Sequence, residues 1–316
     1  MLASPPAARP AGIARRDDSL PERTYHFISG LPRSGSTLLA AILRQNPRFH
    51  AGMSSPVAGL METIVSQVSA GSEIAPMVSD TQRAALLRSV IDSYHAEVAA
   101  PVVFDTSRAW TARLPMLMRL FPEARLLCCV RDVAWIMDSL ERQVRQNAFE
   151  HTRLFASAAQ RATVYTRVDA LAGANSLVGY AWHALKEACF GEHAGQLVMI
   201  EYDLFVRRPA EVMRLLYQFL GEAPFEHDFA AVSYDAPEFD AQLGVRGLHK
   251  VHPEVAPRPR ETILPPDLFE RYSTLAFWRT IRNSRAYRIV EQPAPGPAPP
   301  EHDGPDMPGP VDAILR

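Results

Sequence analysis

With 316 residues, 47% of them hydrophobic and 22% charged, the chain is long and apolar enough for a full globular core. A net charge of −2 gives no overall case for nucleic acid or an anionic membrane as partner. Three cysteines make no disulfide framework or zinc spacing, and no run of 18 apolar residues is present to span a bilayer, so a cytoplasmic protein is expected.

Residues 1–22 read as a Pro/Ala/Arg leader, with prolines and charges where a signal peptide needs an apolar core. A strand is predicted at His26–Ser29, followed by G-L-P-R-S-G-S-T and a helix over Thr37–Gln45. Gly30 and Gly35 permit a tight loop whose backbone N–H groups converge, and the helix aims its positive end inward. The loop nearly spells the phosphate-binding pattern G-x-x-x-x-G-K-[ST]. Gly30, Gly35 and Thr37 fit it, Ser36 takes the lysine position, and the cation is Arg33 inside the loop, beside Ser34. This is a nucleotide-phosphate cradle without a nucleoside-triphosphate signature.

A short strand follows at Phe49–Gly52, then helices at Pro56–Ser69 and Thr81–Ala99 and a strand at Val102–Asp105. After a helix over Thr111–Leu120, the apolar run Ala124–Val130 has the length of a buried strand and ends at Arg131. In the next helix, Val133–Gln146, the apolar stripe is Val133, Ile136, Met137, Leu140 and Val144, with Ser139 off it. Arg131 offers planar charged donors and Ser139 a hydroxyl, a suitable set for a phosphate dianion. Read alone, Arg131 with Asp132 is equally a strand-end ion pair and Ser139 an idle helix serine.

The polar stretch from His151 to Gly173 reads as helix-prone and as a flap over the site. A helix at Ser176–Gly191, a strand at Leu197–Glu201 ending in Tyr202, and a helix at Pro209–Leu220 precede a basic loop, G-V-R-G-L-H-K-V-H-P-E-V-A-P-R-P-R. From Glu291 the chain is too proline-rich for helix or sheet and reads as a disordered tail. One α/β domain over 23–290 is expected, with a parallel sheet of about five strands flanked by helices. Its ligand would lie at the strands' carboxyl ends, where Gly30–Ser36, Asp105 and Arg131 gather.

The strand, Gly-x-Pro-Arg-Ser-Gly-Ser-Thr and helix in this order resemble the 5′-phosphosulfate loop of sulfotransferases, above all the tyrosylprotein sulfotransferases, over roughly residues 25–285. The resemblance implies a P-loop-like sulfotransferase fold and 3′-phosphoadenosine 5′-phosphosulfate (PAPS) as co-substrate, with no metal. It implies Gly30, Arg33, Ser34, Gly35, Ser36 and Thr37 as the phosphosulfate loop, with Arg33 also catalytic, and Arg131 with Ser139 as the 3′-phosphate site. It further implies Tyr202 near the adenosine, and Arg246, Lys250 and Arg258 in a loop closing on the 3′-phosphate. The partner would be a hydroxyl acceptor, a peptide tyrosine or a small-molecule phenol or alcohol.

The chain departs from this pattern in one place. Tyrosylprotein sulfotransferases carry a glutamate pair after the short second strand, one of them the base, where F-H-A-G-M-S-S-P-V here has Met53 and Ser54. The candidate bases are therefore Asp105 first, His50 second and Glu62 third, although Asp105 is equally a strand-end cap for Thr106–Arg108. Two other readings stay open: an ATP-using phosphotransferase, which needs a lysine where Ser36 stands, and a nucleotide-binding protein without turnover.

Overall fold

A computed structural model describes residues 23–149, 152–242, 246–247 and 249–291. The expected leader, and the tail beyond Glu291, lie outside these described residues. Among them, six strands form one parallel sheet: β1 (Thr24–Gly30), β2 (Phe49–Ala51), β3 (Val102–Thr106), β4 (Leu126–Val130), β5 (Leu197–Glu201) and β6 (Tyr287–Ile289). Their spatial order is β2-β3-β1-β4-β5-β6. The sixth strand was not expected. It has only three residues with an arginine in the middle, and its pairing with β5 decides it.

In chain order, α1 (Ser36–Leu43) follows β1, while α2 (Val57–Val68) and α3 (Asp80–Tyr94) carry the chain from β2 to β3. A 3₁₀ turn at Arg108–Arg113 and α4 (Leu114–Leu120) lead to β4. Then α5 (Val133–Gln146), α6 (Ala158–Arg161), α7 (Val164–Ala172) and α8 (Leu177–Phe190) separate β4 from β5. Between β5 and β6 come α9 (Tyr202–Arg207), α10 (Pro209–Leu220), α11 (Pro237–Gln242) and α12 (Pro266–Ser273). No helix of the described residues is long and apolar enough to cross a membrane.

The central strands are continuous apolar runs because both faces of the sheet are covered. Along β4, Leu126, Cys128 and Val130 enter one core layer and Leu127 and Cys129 the other. Burial pushes the Cys129 thiol up to about 12, so both strand cysteines act as inert packing groups. Helix α1 is buried along Leu38–Leu43 and belongs to the second layer, whereas α5 presents its stripe to the first.

Helix ends follow local chemistry. Ser79 and Gln82 form a reciprocal capping box at the start of α3. Gly221, in the left-handed region at φ 73°, closes α10. The segment expected to be a flap is instead docked. Val168 and Leu171 of α7 are buried, and Arg167 reaches Glu141 of α5 at 2.6 Å, while Glu150 and His151 lie outside the described residues.

The sheet order turns around β1, with β3 on one side and β4 on the other. The registers Ile28↔Thr106 and Gly30↔Cys129 bring the carboxyl ends of these three strands level. In an open α/β sheet, that turning point is where a crevice forms.

Candidate active site

A cavity of about 840 Å³ opens at this edge, bounded by the loop after β1, the ends of β3 and β4, the start of α9 and the segment 249–260. The loop's shape depends on its two glycines. Gly30 has φ 104°, and a Cβ there would lie 2.2 Å from the Cys129 carbonyl oxygen. Gly35 has φ 94°, and its Cβ would meet the Tyr202 ring at 2.8 Å. Between them Arg33 itself adopts φ 57°, a left-handed conformation uncommon outside glycine. Strain of this kind persists where the surroundings impose it, often at binding sites. At the head of α1, Gly35 supplies no side-chain cap and the first turn holds no acid, so its N–H groups remain for an anion.

Ser36 and Thr37 line the cavity with Arg33 and Gly35. Ser34 does not. Its hydroxyl turns back to donate to the Leu31 carbonyl, so it shapes the loop rather than facing a ligand. Arg33 Nε donates to Ser139 Oγ at 3.1 Å, which joins the two sequence-predicted phosphate sites directly. Burial, and then the neighbouring charge of Arg131, lower the Arg33 guanidinium to about 10, still fully protonated at neutral pH.

Arg131 does not pair with Asp132. Asp132 caps α5 by accepting from the Ala134 N–H at 3.0 Å, and it faces Arg279 at 3.5 Å. The Arg131 guanidinium lies over the Tyr202 ring, 4.3 Å from its centre, and its buried Nε has no hydrogen-bond partner among the described residues. Tyr202, which opens α9, thus floors the site beneath both Gly35 and Arg131.

A cation that the sequence reading passed over completes the cluster. Arg260 lies over the Trp135 ring at 5.2 Å and meets Asp138 at 3.0 Å. Burial and the charge of Arg131 lower its pKa, while Asp138 acts the other way. Fully buried Asp138 also accepts from Arg142 at 2.9 Å, from the Thr262 hydroxyl at 3.1 Å and from the Ile263 N–H at 2.8 Å. It therefore staples the 260–263 segment to α5, one residue from Ser139. Lys250 and Arg258 line the cavity, and Arg246 does not.

The expected bases fare differently. Asp105 is fully buried and does not line the cavity. Its Oδ1 accepts from Ser55 at 2.9 Å and from Trp110 Nε1 at 2.8 Å, and its Oδ2 faces His95 Nε2 at 3.0 Å. The pleat directs it into the sheet's covered face, where it joins β3 to α3 and to the approach to α2. His50, on edge strand β2, packs edge-on against His95 at 5.6 Å and also lies outside the cavity lining. Burial, then His95 and Arg44, lower its pKa. Glu62 is paired with Arg113 on the surface. Met53 and Ser54 do line the cavity.

One acid–imidazole pair at the cavity was missed. Asp240, fully buried at the base of α11, faces His249 Nδ1 at 2.5 Å and accepts from the His249 backbone N–H at 2.9 Å, and His249 lines the cavity. The two stand nine positions apart in the sequence, so no helical or strand period announces them.

Comparison with known proteins places these features in a wider setting. The model of the "Sulfotransferase family" matches residues 26–227. Over 124 residues, 34% of this chain and 33% of that protein, the chain is 32% identical to protein-tyrosine sulfotransferase 1 of Mus musculus. It thus spans about a third of the length of the curated relatives it matches. Among solved structures, the sulfotransferase domain of the Synechococcus PCC 7002 olefin synthase aligns with TM-score 0.43 and 15% identity over 82% of this chain and 95% of that one. A sulfotransferase from Alicyclobacillus acidocaldarius aligns with TM-score 0.43 and 19% identity over 70% and 89%.

Proposed function

The chain belongs to the sulfotransferase family, and we propose that it moves the sulfuryl group of PAPS to an acceptor hydroxyl. The observation that carries this reading is the meeting of Arg33, Arg131 and Arg260 around one cavity at the glycine loop, with Arg131 Nε buried and unbonded. Three like charges in a partly buried space repel one another, and Arg131 depresses the pKa of both others. A ligand with two phosphate-type groups relieves that repulsion and supplies an acceptor to Arg131 Nε.

In this reading the loop N–H groups, Ser36 and Thr37 hold the 5′-phosphosulfate, and Arg131 with Ser139 the 3′-phosphate. Tyr202 lies against the nucleotide, and Lys250 approaches from the basic loop. The acceptor oxygen attacks sulfur in line as the bond to the 5′-phosphate oxygen breaks. Negative charge grows on that bridging oxygen, and in this reading Arg33 and the loop N–H groups stabilise it. The reaction so written needs no metal ion. A peptide tyrosine or another phenol is the favoured acceptor, on the strength of the protein-tyrosine sulfotransferase likeness, with alcohols as the wider class. A phenol with an ordinary pKa of about 10 needs a base at neutral pH.

Thermal unfolding with adenosine 3′,5′-bisphosphate tests the donor. At 100 times its dissociation constant, a ligand selective for the native state adds about 2.7 kcal/mol, visible as a clear rise in Tm. The rise should survive EDTA. Stronger stabilisation by ATP with Mg²⁺ would turn the reading toward an ATP-using phosphotransferase, against which Ser36 in the lysine position already argues.

A further inference from the structure

We propose that His249, held by Asp240, is the base that takes the acceptor's proton, an assignment that rests on the sulfuryl-transfer reading above. The argument begins with what the carboxylate does. Both Asp240 oxygens are committed to one residue, Oδ1 to the His249 ring at 2.5 Å and Oδ2 to its backbone N–H at 2.9 Å. That double grip fixes ring position as well as tautomer: Nδ1 carries the proton toward Asp240, and Nε2 is left as the accepting nitrogen. Nε2 makes no hydrogen bond among the described residues, and the side chain keeps 13% of its surface open.

The pair is also anchored. His249 sits beside a strap in which Val251 N–H donates to the Tyr234 carbonyl at 3.0 Å and Val232 N–H to the Pro253 carbonyl at 2.8 Å. The Tyr234 hydroxyl then accepts from the Met53 N–H at 2.8 Å. The strap is thereby tied to the segment whose side chains, Met53 and Ser54, line the cavity without offering a base. Asp240 lies near enough to Arg33 for its charge to be felt there, so the dyad and the phosphosulfate loop share one electrostatic neighbourhood. His252, the other imidazole at the cavity, is exposed and has no carboxylate partner among the described residues.

In the step assigned, the acceptor O–S bond forms while the S–O bond to the 5′-phosphate breaks. The departing 3′,5′-bisphosphate keeps the electron pair, and the acceptor proton passes to His249 Nε2. Asp240 is a positioning residue that orients the ring.

The test uses the full chain with PAPS, two probe acceptors (4-methylphenol and 4-nitrophenol) and, in parallel, water as acceptor, followed by release of the bisphosphate. His249→Ala should lower transfer to 4-methylphenol by roughly 10²–10⁴-fold, the range of general-base catalysis. The loss should be smaller for the more acidic 4-nitrophenol, and added imidazole should restore part of the rate. His249→Gln, which preserves a polar contact to Asp240, should lose as much, and Asp240→Asn should lower kcat with little change in KM. Bisphosphate affinity should stay within about threefold in both His249 variants, because neither removes a group of the phosphate sites. Equal losses with both phenols and no rescue by imidazole would make the pair a loop staple and overturn the assignment, as would an unchanged rate. Wild-type protein that binds the bisphosphate but turns over neither phenol nor water would overturn it too. Failure to bind the bisphosphate at all would instead sink the donor reading itself.

Discussion

Arg131 holds its guanidinium against the Tyr202 ring while its Nε stays buried without an acceptor. An unsatisfied buried donor costs roughly 1–3 kcal/mol, so such a group needs a reason to persist. The proposed 3′-phosphate is that reason, and it separates two ligands that differ only there. Arg131→Ala should weaken adenosine 3′,5′-bisphosphate by roughly 10- to 150-fold, the worth of a charged hydrogen bond of about 1.5–3 kcal/mol. Adenosine 5′-monophosphate, which lacks the 3′-phosphate, should lose far less. The unliganded variant should be no less stable than the parent, because a like charge has been removed beside Arg33 and Arg260. Calorimetric titration of both nucleotides decides it. Equal losses would mean that Arg131 only supports Tyr202.

Helix α5 shows how one element carries both a legible and an illegible half of the site. Ser139 was singled out by the likeness of the Arg131…Ser139 pairing to a sulfotransferase 3′-phosphate site, and the helical period by itself only placed it off the apolar stripe. Asp138 could not be singled out. Its partners Arg260, Thr262 and Ile263 lie on a loop more than 120 residues away, and no local pattern encodes a tertiary clamp. The same division runs through the fold. The central strands were readable as apolar runs because both faces are buried, whereas β6, three residues around Arg288, depends on its neighbour β5. Asp105 misled for a related reason: it does stand at the cavity end of β3, but the pleat points it away, into His95 and Trp110. Removing the clamp should be felt at both levels. Asp138→Ala should lower stability by about 3–5 kcal/mol, as for a buried ion pair deprived of one partner, and bisphosphate affinity should fall as Arg260 comes loose. Urea unfolding and nucleotide titration on the same variant check the two effects separately. Lost stability with unchanged affinity would show that Arg260 does not reach the ligand.

Across the whole molecule, the two apolar layers meet at a sheet whose central strand β1 carries one buried imidazole. His26 is 2% exposed, and its Nδ1 accepts from the Arg125 N–H at 3.1 Å, a contact that requires the neutral ring. Burial first, and then the charge of Arg125, lower its pKa from 6.5 to about 4. Between those values the unfolded chain takes up a proton that the folded chain refuses, so stability rises with pH through this window. The contribution is fully present above pH 6.5 and is lost as pH falls toward 4, to the extent of about 3 kcal/mol at about 1.36 kcal/mol per unit. Other groups act nearby. Burial raises the Asp132 carboxyl, which works in the opposite sense, while Arg167 and Arg145 overcome burial to lower Glu141, which adds to the loss at lower pH. The difference between two proteins isolates the imidazole. His26→Asn keeps an acceptor for the Arg125 N–H but does not titrate, so its unfolding free energy in urea should change less between pH 7 and pH 4.5 than that of the parent. Parallel pH profiles for the two would remove His26 as the source of the acid sensitivity.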